Sequence, residues 1–208
     1  MYTLYGTKGS GSAAIEAALA MTGAAFSVVD ASSWQDGPGR DALRRVNRLE
    51  QIPTLVLPDG AVLSESAAIL IHLGLAFPES GLLPADAAQR AQAIRGLVYI
   101  AANCYAAIGI LDYPERWCAD CGEQEAERMR RGTRARLHAL WETFADTFPG
   151  TPFLSGAAPG ALDLLAVVVS KWSGARQHLA QTRPALTNLL ARIEAHPAFA
   201  GVHARHWG

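Results

Sequence analysis

Short β-prone runs crowd the first third of the chain, and a helical period of apolar positions takes over after it. Residues 2–5 form a compact run of strand formers ending at Gly6. The polar loop Thr7-Lys8-Gly9-Ser10-Gly11 leads into an alanine-rich stretch, 12–21, closed by Thr22-Gly23. Ser10 or Ser12 suits the start of a helix there, and Gly23 suits a left-handed stop. Residues 26–29 read as a second strand. A strand, helix and strand this close predict a parallel pair with a crossover helix. After the breaker Gly37-Pro38-Gly39, residues 40–46 form a weaker helix. Residues 53–57 and 61–63 read as strands joined by Pro58-Asp59-Gly60, a hairpin signal. Ser64-Glu65-Ser66 opens a helix, 67–76, apolar on nearly every face. Such a helix must be covered by the sheet, by the rest of the chain or by a second subunit.

Beyond a proline-bearing linker at 77–85 the pattern is helical throughout. Residues 88–111 repeat apolar positions at Ile94, Leu97, Val98, Ala101, Tyr105 and Ile108. Residues 123–148 form a long amphipathic helix with acidic first turns and an arginine cluster further on, an order that suits the helix dipole. That cluster is expected on a solvated face. Residues 162–169 are apolar almost all round and belong at the centre of a bundle. A last helix, 184–194, stops near His196-Pro197. Strands are thus confined to the start, and the predicted class is an α/β domain of thioredoxin-like order at 1–77 followed by an all-α bundle at 86–208.

Composition narrows this only by exclusion. The chain has 208 residues, half of them apolar, enough for a sizeable core. A formal net charge of −1 gives no bulk attraction to nucleic acid or an anionic membrane. The N-terminus lacks the basic segment and apolar run of a signal peptide, and apolar stretches break well before the ~20 residues of a membrane span. Three cysteines are too few for a disulfide scaffold, so a reducing cytoplasm is the expected setting.

The segment with most chemistry is Gln51-Ile52-Pro53-Thr54-Leu55, followed by Glu65-Ser66. A proline opening a strand belongs at an edge or irregular entry. If the Ile52-Pro53 bond is cis, the N–H and C=O of Ile52 turn outward and can pair with an extended peptide. Ser66 sits in the first turn of its helix, where free N–H groups and a hydroxyl suit a carboxylate, and Glu65 can hold the loop or recognise an amine. Together these describe a receptor for a short peptide with a free carboxylate and amine. Ser10 and Ser12 lie where a hydroxyl can donate to a bound thiolate, although both also suit simple capping. A charge-assisted bond of ~1.5–3 kcal/mol lowers a thiol pKa by about one to two units. Cys118-Ala-Asp-Cys121 falls between helices, away from the position of a thioredoxin-type pair, and has no second ligand pair for zinc. His203 and His206 read as part of a solvated terminus rather than a metal site.

At this point the chain resembles the glutathione transferase superfamily over essentially its whole length. The resemblance is carried by Leu4-Tyr5-Gly6 with the serine loop, by Gln51-Ile52-Pro53-Thr54-Leu55, by Glu65-Ser66-Ala67-Ala68-Ile69, and by the segment from Gly156 to Asp163. It implies a thioredoxin-like domain that binds glutathione and a helical domain that shapes a second-substrate pocket. In the family the proline is cis, the preceding residue pairs with the cysteinyl backbone of glutathione, and the Glu-Ser pair binds the γ-glutamyl end. Those roles fall on Gln51, Ile52, Pro53, Glu65 and Ser66. The resemblance is to serine-type, bacterial-like members, with Ser10, or else Ser12, activating the sulfur. Cysteine-type members carry their cysteine one position later, where this chain has Gly11. Asn103, Tyr105 and Tyr113 are the candidates for the second-substrate pocket. Glutathione is implied as co-substrate without a metal, in a cytoplasmic homodimer serving detoxification of electrophilic, largely apolar molecules. The alternatives on the same scaffold are a glutathione-dependent disulfide or peroxide reductase and a non-catalytic binding protein. Two departures stand out: Asn47-Arg48-Leu49-Glu50 replaces the usual Asn-Pro-x-Gly before the proline, and Gly160 replaces the usual Ser or Thr cap three residues before Asp163.

Overall fold

The computed structural model describes residues 1–208. Strand β1 (Tyr2–Gly6) pairs in parallel with β2 (Phe26–Asp30), Tyr2 opposite Phe26, through the crossover helix α1 (Ser12–Thr22). After helix α2 (Pro38–Val46), β3 (Thr54–Val56) runs antiparallel to β1, and β4 (Val62–Leu63) antiparallel to β3. The sheet order is β2-β1-β3-β4. Tyr2, Leu4 and Gly6 face inward on β1, the alternation of a half-buried strand. The last two strands are shorter than the sequence pattern predicts. Pro53 and Pro58 flank β3 and cannot donate to a ladder. Helix α3 (Ser66–Ala76) closes this half and packs on α1, which answers its apolar pattern on one side at least.

The helical half begins with α4 (Ala87–Tyr99), capped by Asp86, whose Oδ1 accepts the Gln89 N–H at 2.8 Å. A π-helical stretch, Ile100–Tyr105, joins it to α5 (Ala106–Asp112). Together they make one helix of 26 residues, Ala87–Asp112, whose most apolar stretch has a mean hydropathy of 1.6. By length and composition that helix is sufficient to cross a bilayer, which the residue-by-residue reading of broken apolar runs did not anticipate. Here its inner face packs on α6 (Glu123–Thr147) and α7 (Ala161–Val169). Every residue of α7 is buried, as its pattern requires, and the arginines of α6 lie mostly on its exposed side.

Two elements were not anticipated, α8 (Ala175–Thr182) and α10 (Pro197–Trp207), which flank the expected α9 (Pro184–Ala195). Pro197 starts a helix rather than merely ending one: at the first helical position its missing N–H costs nothing. One apolar cluster of 44 buried residues runs through both halves, from Leu4, Ile15 and Leu55 to Trp141, Phe144, Leu164 and Phe199. Helix α1 is its pivot, packed against β1 and α3 on one side and against α7 and α10 on the other.

Candidate functional site

The loop between β1 and α1 is built around the carbonyl of Thr7. Ser10 Oγ donates to that oxygen at 2.7 Å and accepts the Ser12 N–H at 3.3 Å. Ser12 Oγ lies 2.8 Å from Ser10 Oγ and 3.3 Å from Thr7 O. Both serines are buried. Gly6 explains the inward turn of Ser12, because a β-carbon on residue 6 would overlap the Ser12 side chain. The expectation that Ser10 or Ser12 turns a free hydroxyl outward to a sulfur does not match this placement. Their hydroxyls are engaged in closing the turn.

The neighbouring Gly11 is buried, and its N–H takes no backbone partner. A β-carbon there would collide with Tyr105 Oη, which comes from the end of the π-helical stretch in the other half of the chain. The Tyr105 ring packs 5.5 Å, centroid to centroid, from Trp172. Burial pushes the Tyr105 phenol up to about 12, with the charges of Asp112 and Glu65 acting in the same direction. Asn103 donates Nδ2 to Tyr99 O at 3.1 Å, which occupies its amide within the helix, and Arg116 stacks its guanidinium 3.8 Å over the Tyr113 ring. Among the three candidates for the second-substrate pocket, Tyr105 has its polar end at the tip of α1.

The Ile52-Pro53 bond is cis. Ahead of it, Asn47 is buried and ties the turn together: Nδ2 donates to Thr54 Oγ1 at 2.8 Å and to Gln51 O at 3.3 Å, and Oδ1 accepts the Leu49 N–H at 3.0 Å. Gln51 O also accepts from Thr54 Oγ1 at 2.7 Å, so its carbonyl is taken, while its side chain is exposed. The N–H and C=O of Ile52 have no backbone partner. The β3–β4 register pairs Leu55 with Leu63, so the start of β3 and the end of β4 lie at the same end of the sheet. Glu65 has φ 67°, a left-handed turn that brings Ser66 in at the head of α3. The first bond of that helix is Ile69 N–H to Glu65 O at 3.0 Å, which leaves the N–H groups of its first turn without an intrahelical acceptor. The topology thus brings the unpaired Ile52 backbone and the α1 tip to one edge of the sheet, the end where β1 stops and β3 starts, with the α3 tip following β4 there.

The C-terminal helix reaches the same edge. His206 Nδ1 accepts the Gly9 N–H at 3.2 Å, and its Nε2 lies 2.8 Å from Glu16 Oε2. Arg205 donates to Glu16 Oε1 at 2.6 and 2.9 Å. The His206 hydrogen bond, helped by Arg205, holds the Glu16 carboxyl below its ordinary range against the opposing effect of burial. The terminus is therefore docked, not solvated. The signal in the sequence is the helical spacing of Phe199, Val202 and His206, which runs past the His203 and His206 pair assigned to a solvated terminus. Cys104 is buried and its thiol pushed up to about 12, and Cys118 and Cys121 are unpaired on the loop before α6. A polar recess of about 510 Å³ walled by Arg134, His138, Gln177 and His178 holds none of the site residues.

This arrangement, a small four-stranded sheet with its helices beside a helical bundle, is that of the glutathione transferases. Residues 12–75 match the model of the glutathione S-transferase N-terminal domain. The chain is 33% identical over 199 residues to the probable glutathione S-transferase BZ2 of Zea mays, covering 87% of this chain and 80% of that one. It is 35% identical over 125 residues to the GST-like protein YncG of Escherichia coli (strain K12), spanning 60% of the length of each. A glutathione transferase homolog from Sulfitobacter, solved with bound glutathione, superimposes with a TM-score of 0.84 at 25% identity, over 99% of this chain and 98% of that one. The chain belongs to the glutathione S-transferase family.

Proposed function

We propose that the protein is a glutathione transferase that binds glutathione along the sheet edge and directs its thiolate at an electrophilic, largely apolar small molecule. The observation that supports this reading is the Ile52 backbone, left without a partner ahead of a cis-proline, in a chain whose helix α3 begins with an open first turn. An extended peptide can pair with Ile52 while its γ-glutamyl carboxylate takes the Ser66 hydroxyl and the N–H groups beside it, at the positive end of the helix dipole. Residues 1–77 then bind glutathione, and 86–208 shape the second pocket. A cytoplasmic homodimer engaged in detoxification is the setting this reading implies.

Calorimetry with glutathione, and conjugation of glutathione to an aryl chloride, test the reading directly. Ser66→Ala removes a hydrogen bond to a charged group, ~1.5–3 kcal/mol, so glutathione affinity is expected to fall roughly ten- to hundred-fold. Absence of binding by the unaltered protein at millimolar glutathione would overturn the assignment.

A further inference from the structure

We propose that Tyr105, reaching across from the helical half, supplies the hydroxyl that hydrogen-bonds the glutathione sulfur, while Ser10 and Ser12 only build the loop beneath it. The inference rests on the reading above, in which the sulfur lies at the tip of α1. Three observations carry it. First, the hydroxyls expected to do this work are buried and engaged with Thr7 O and with each other. Second, Tyr105 Oη fills the space that a side chain on residue 11 would occupy, so the missing side chain is replaced in space by a donor from another element. Third, that phenol is largely buried with no hydrogen-bond partner in the chain, yet its oxygen is not sealed off, and the adjacent Gly11 N–H lacks a backbone partner as well. Two unengaged donors at the positive end of a helix make a place for an anion.

The π-helical turn is part of the device. It adds a residue to the turn from Ile100 to Tyr105 and so re-aims the side chains at its end. Asn103 takes up the carbonyl of Tyr99 with its amide. The elevated phenol pKa keeps the proton on Tyr105 at neutral pH, so the residue acts as a donor and not as a base. In the reaction the thiol proton passes to solvent and the sulfur keeps the electron pair, stabilised by Tyr105 Oη–H. The sulfur then forms its bond to the electrophilic carbon as the leaving group departs with its own pair, and Tyr105 remains protonated throughout.

The test is the pH dependence of kcat/KM for glutathione conjugation to an aryl chloride, together with the ultraviolet absorbance of bound thiolate. In Tyr105→Phe the apparent pKa of the bound thiol is expected to rise by about one to two pH units. At neutral pH kcat/KM then falls about ten- to hundred-fold while glutathione KM changes little. A merely structural role would raise KM or lower stability and leave the pH profile in place. Gly11→Ala, which forces a methyl group onto Oη, is expected to move the profile the same way with the phenol still present. Unshifted profiles in both variants, with glutathione still bound, would overturn the role of Tyr105 alone. An unaltered protein that binds no glutathione would overturn the transferase reading and this inference with it.

Discussion

Glu50 shows how a single side chain replaces a glycine. It stands in left-handed backbone, φ 51°, at the turn before Pro53, a conformation that costs an L-residue roughly 1–2 kcal/mol. Its carboxylate is gripped by Arg44 Nε at 2.9 Å and Arg40 Nε at 2.8 Å, whose hydrogen bonds hold its pKa down at about 2. Below the ordinary value of 4.5 the unfolded chain takes up this proton, while the folded one resists until about 2. The stabilisation is therefore complete above that window and lost as pH falls through it. The melting temperature of the unaltered protein is expected to exceed that of Glu50→Gln above pH 4.5, with the gap closing towards pH 2 and shrinking with added salt because the cluster is at the surface. Thermal melts across that range check it. At this scale the sequence shows which polar residues fall in the turns, and not the direction that their polar atoms take. Ser10 and Ser12 were visible in the loop, but it is Gly6 and the Thr7 carbonyl, brought beneath them by the fold, that turn their hydroxyls inward.

Among the elements, α7 departs most from the family in its cap and keeps its function by another route. Asp163 accepts N–H bonds from Leu154 at 2.8 Å, Ser155 at 2.9 Å and Gly160 at 3.0 Å, so one buried carboxylate holds both the loop and the helix start. Serine is ordinarily the better cap than glycine by a few tenths of a kcal/mol. Here a β-carbon on residue 160 would stand 2.7 Å from Ser155 Oγ and 2.8 Å from Leu82 O. The Leu82 carbonyl is fixed by its own bond from the Ala161 N–H, so it cannot yield cheaply. Gly160→Ser is therefore expected to destabilise by about 1–3 kcal/mol, read as a lower urea midpoint. Element existence was legible wherever a long apolar run or an amphipathic period stood between turn residues, as in α1, α3, α6 and α7. It failed for α8, only eight residues long, and for α10, whose opening proline was taken as an end. Proline punctuates both ends of helices, and only the apolar spacing beyond it decides which.

Across the whole molecule, the edge proposed to bind glutathione is held by segments far apart in sequence. Tyr105 closes on Gly11 from one side, and α10 closes on Gly9 and Glu16 from the other. Such long-range closure leaves no local pattern, which is why the sequence could single out Tyr105 without showing that it closes on Gly11, and could not show the docking of α10. The α10 contact has a measurable weight. His206→Ala leaves the Gly9 N–H without its acceptor and takes from Glu16 the partner that contributes most to its low pKa, with Arg205 alone remaining. Unsatisfied groups of this kind cost about 1–3 kcal/mol. The variant is expected to unfold at correspondingly lower urea and to exchange the amide protons of the Gly9–Ser10 turn faster. Because that turn carries Gly11 and the tip of α1, glutathione KM should rise more than kcat falls. An unchanged midpoint with unchanged exchange at Gly9 would mean that α10 merely rests on α1, and that the edge is organised by the sheet and Tyr105 without it.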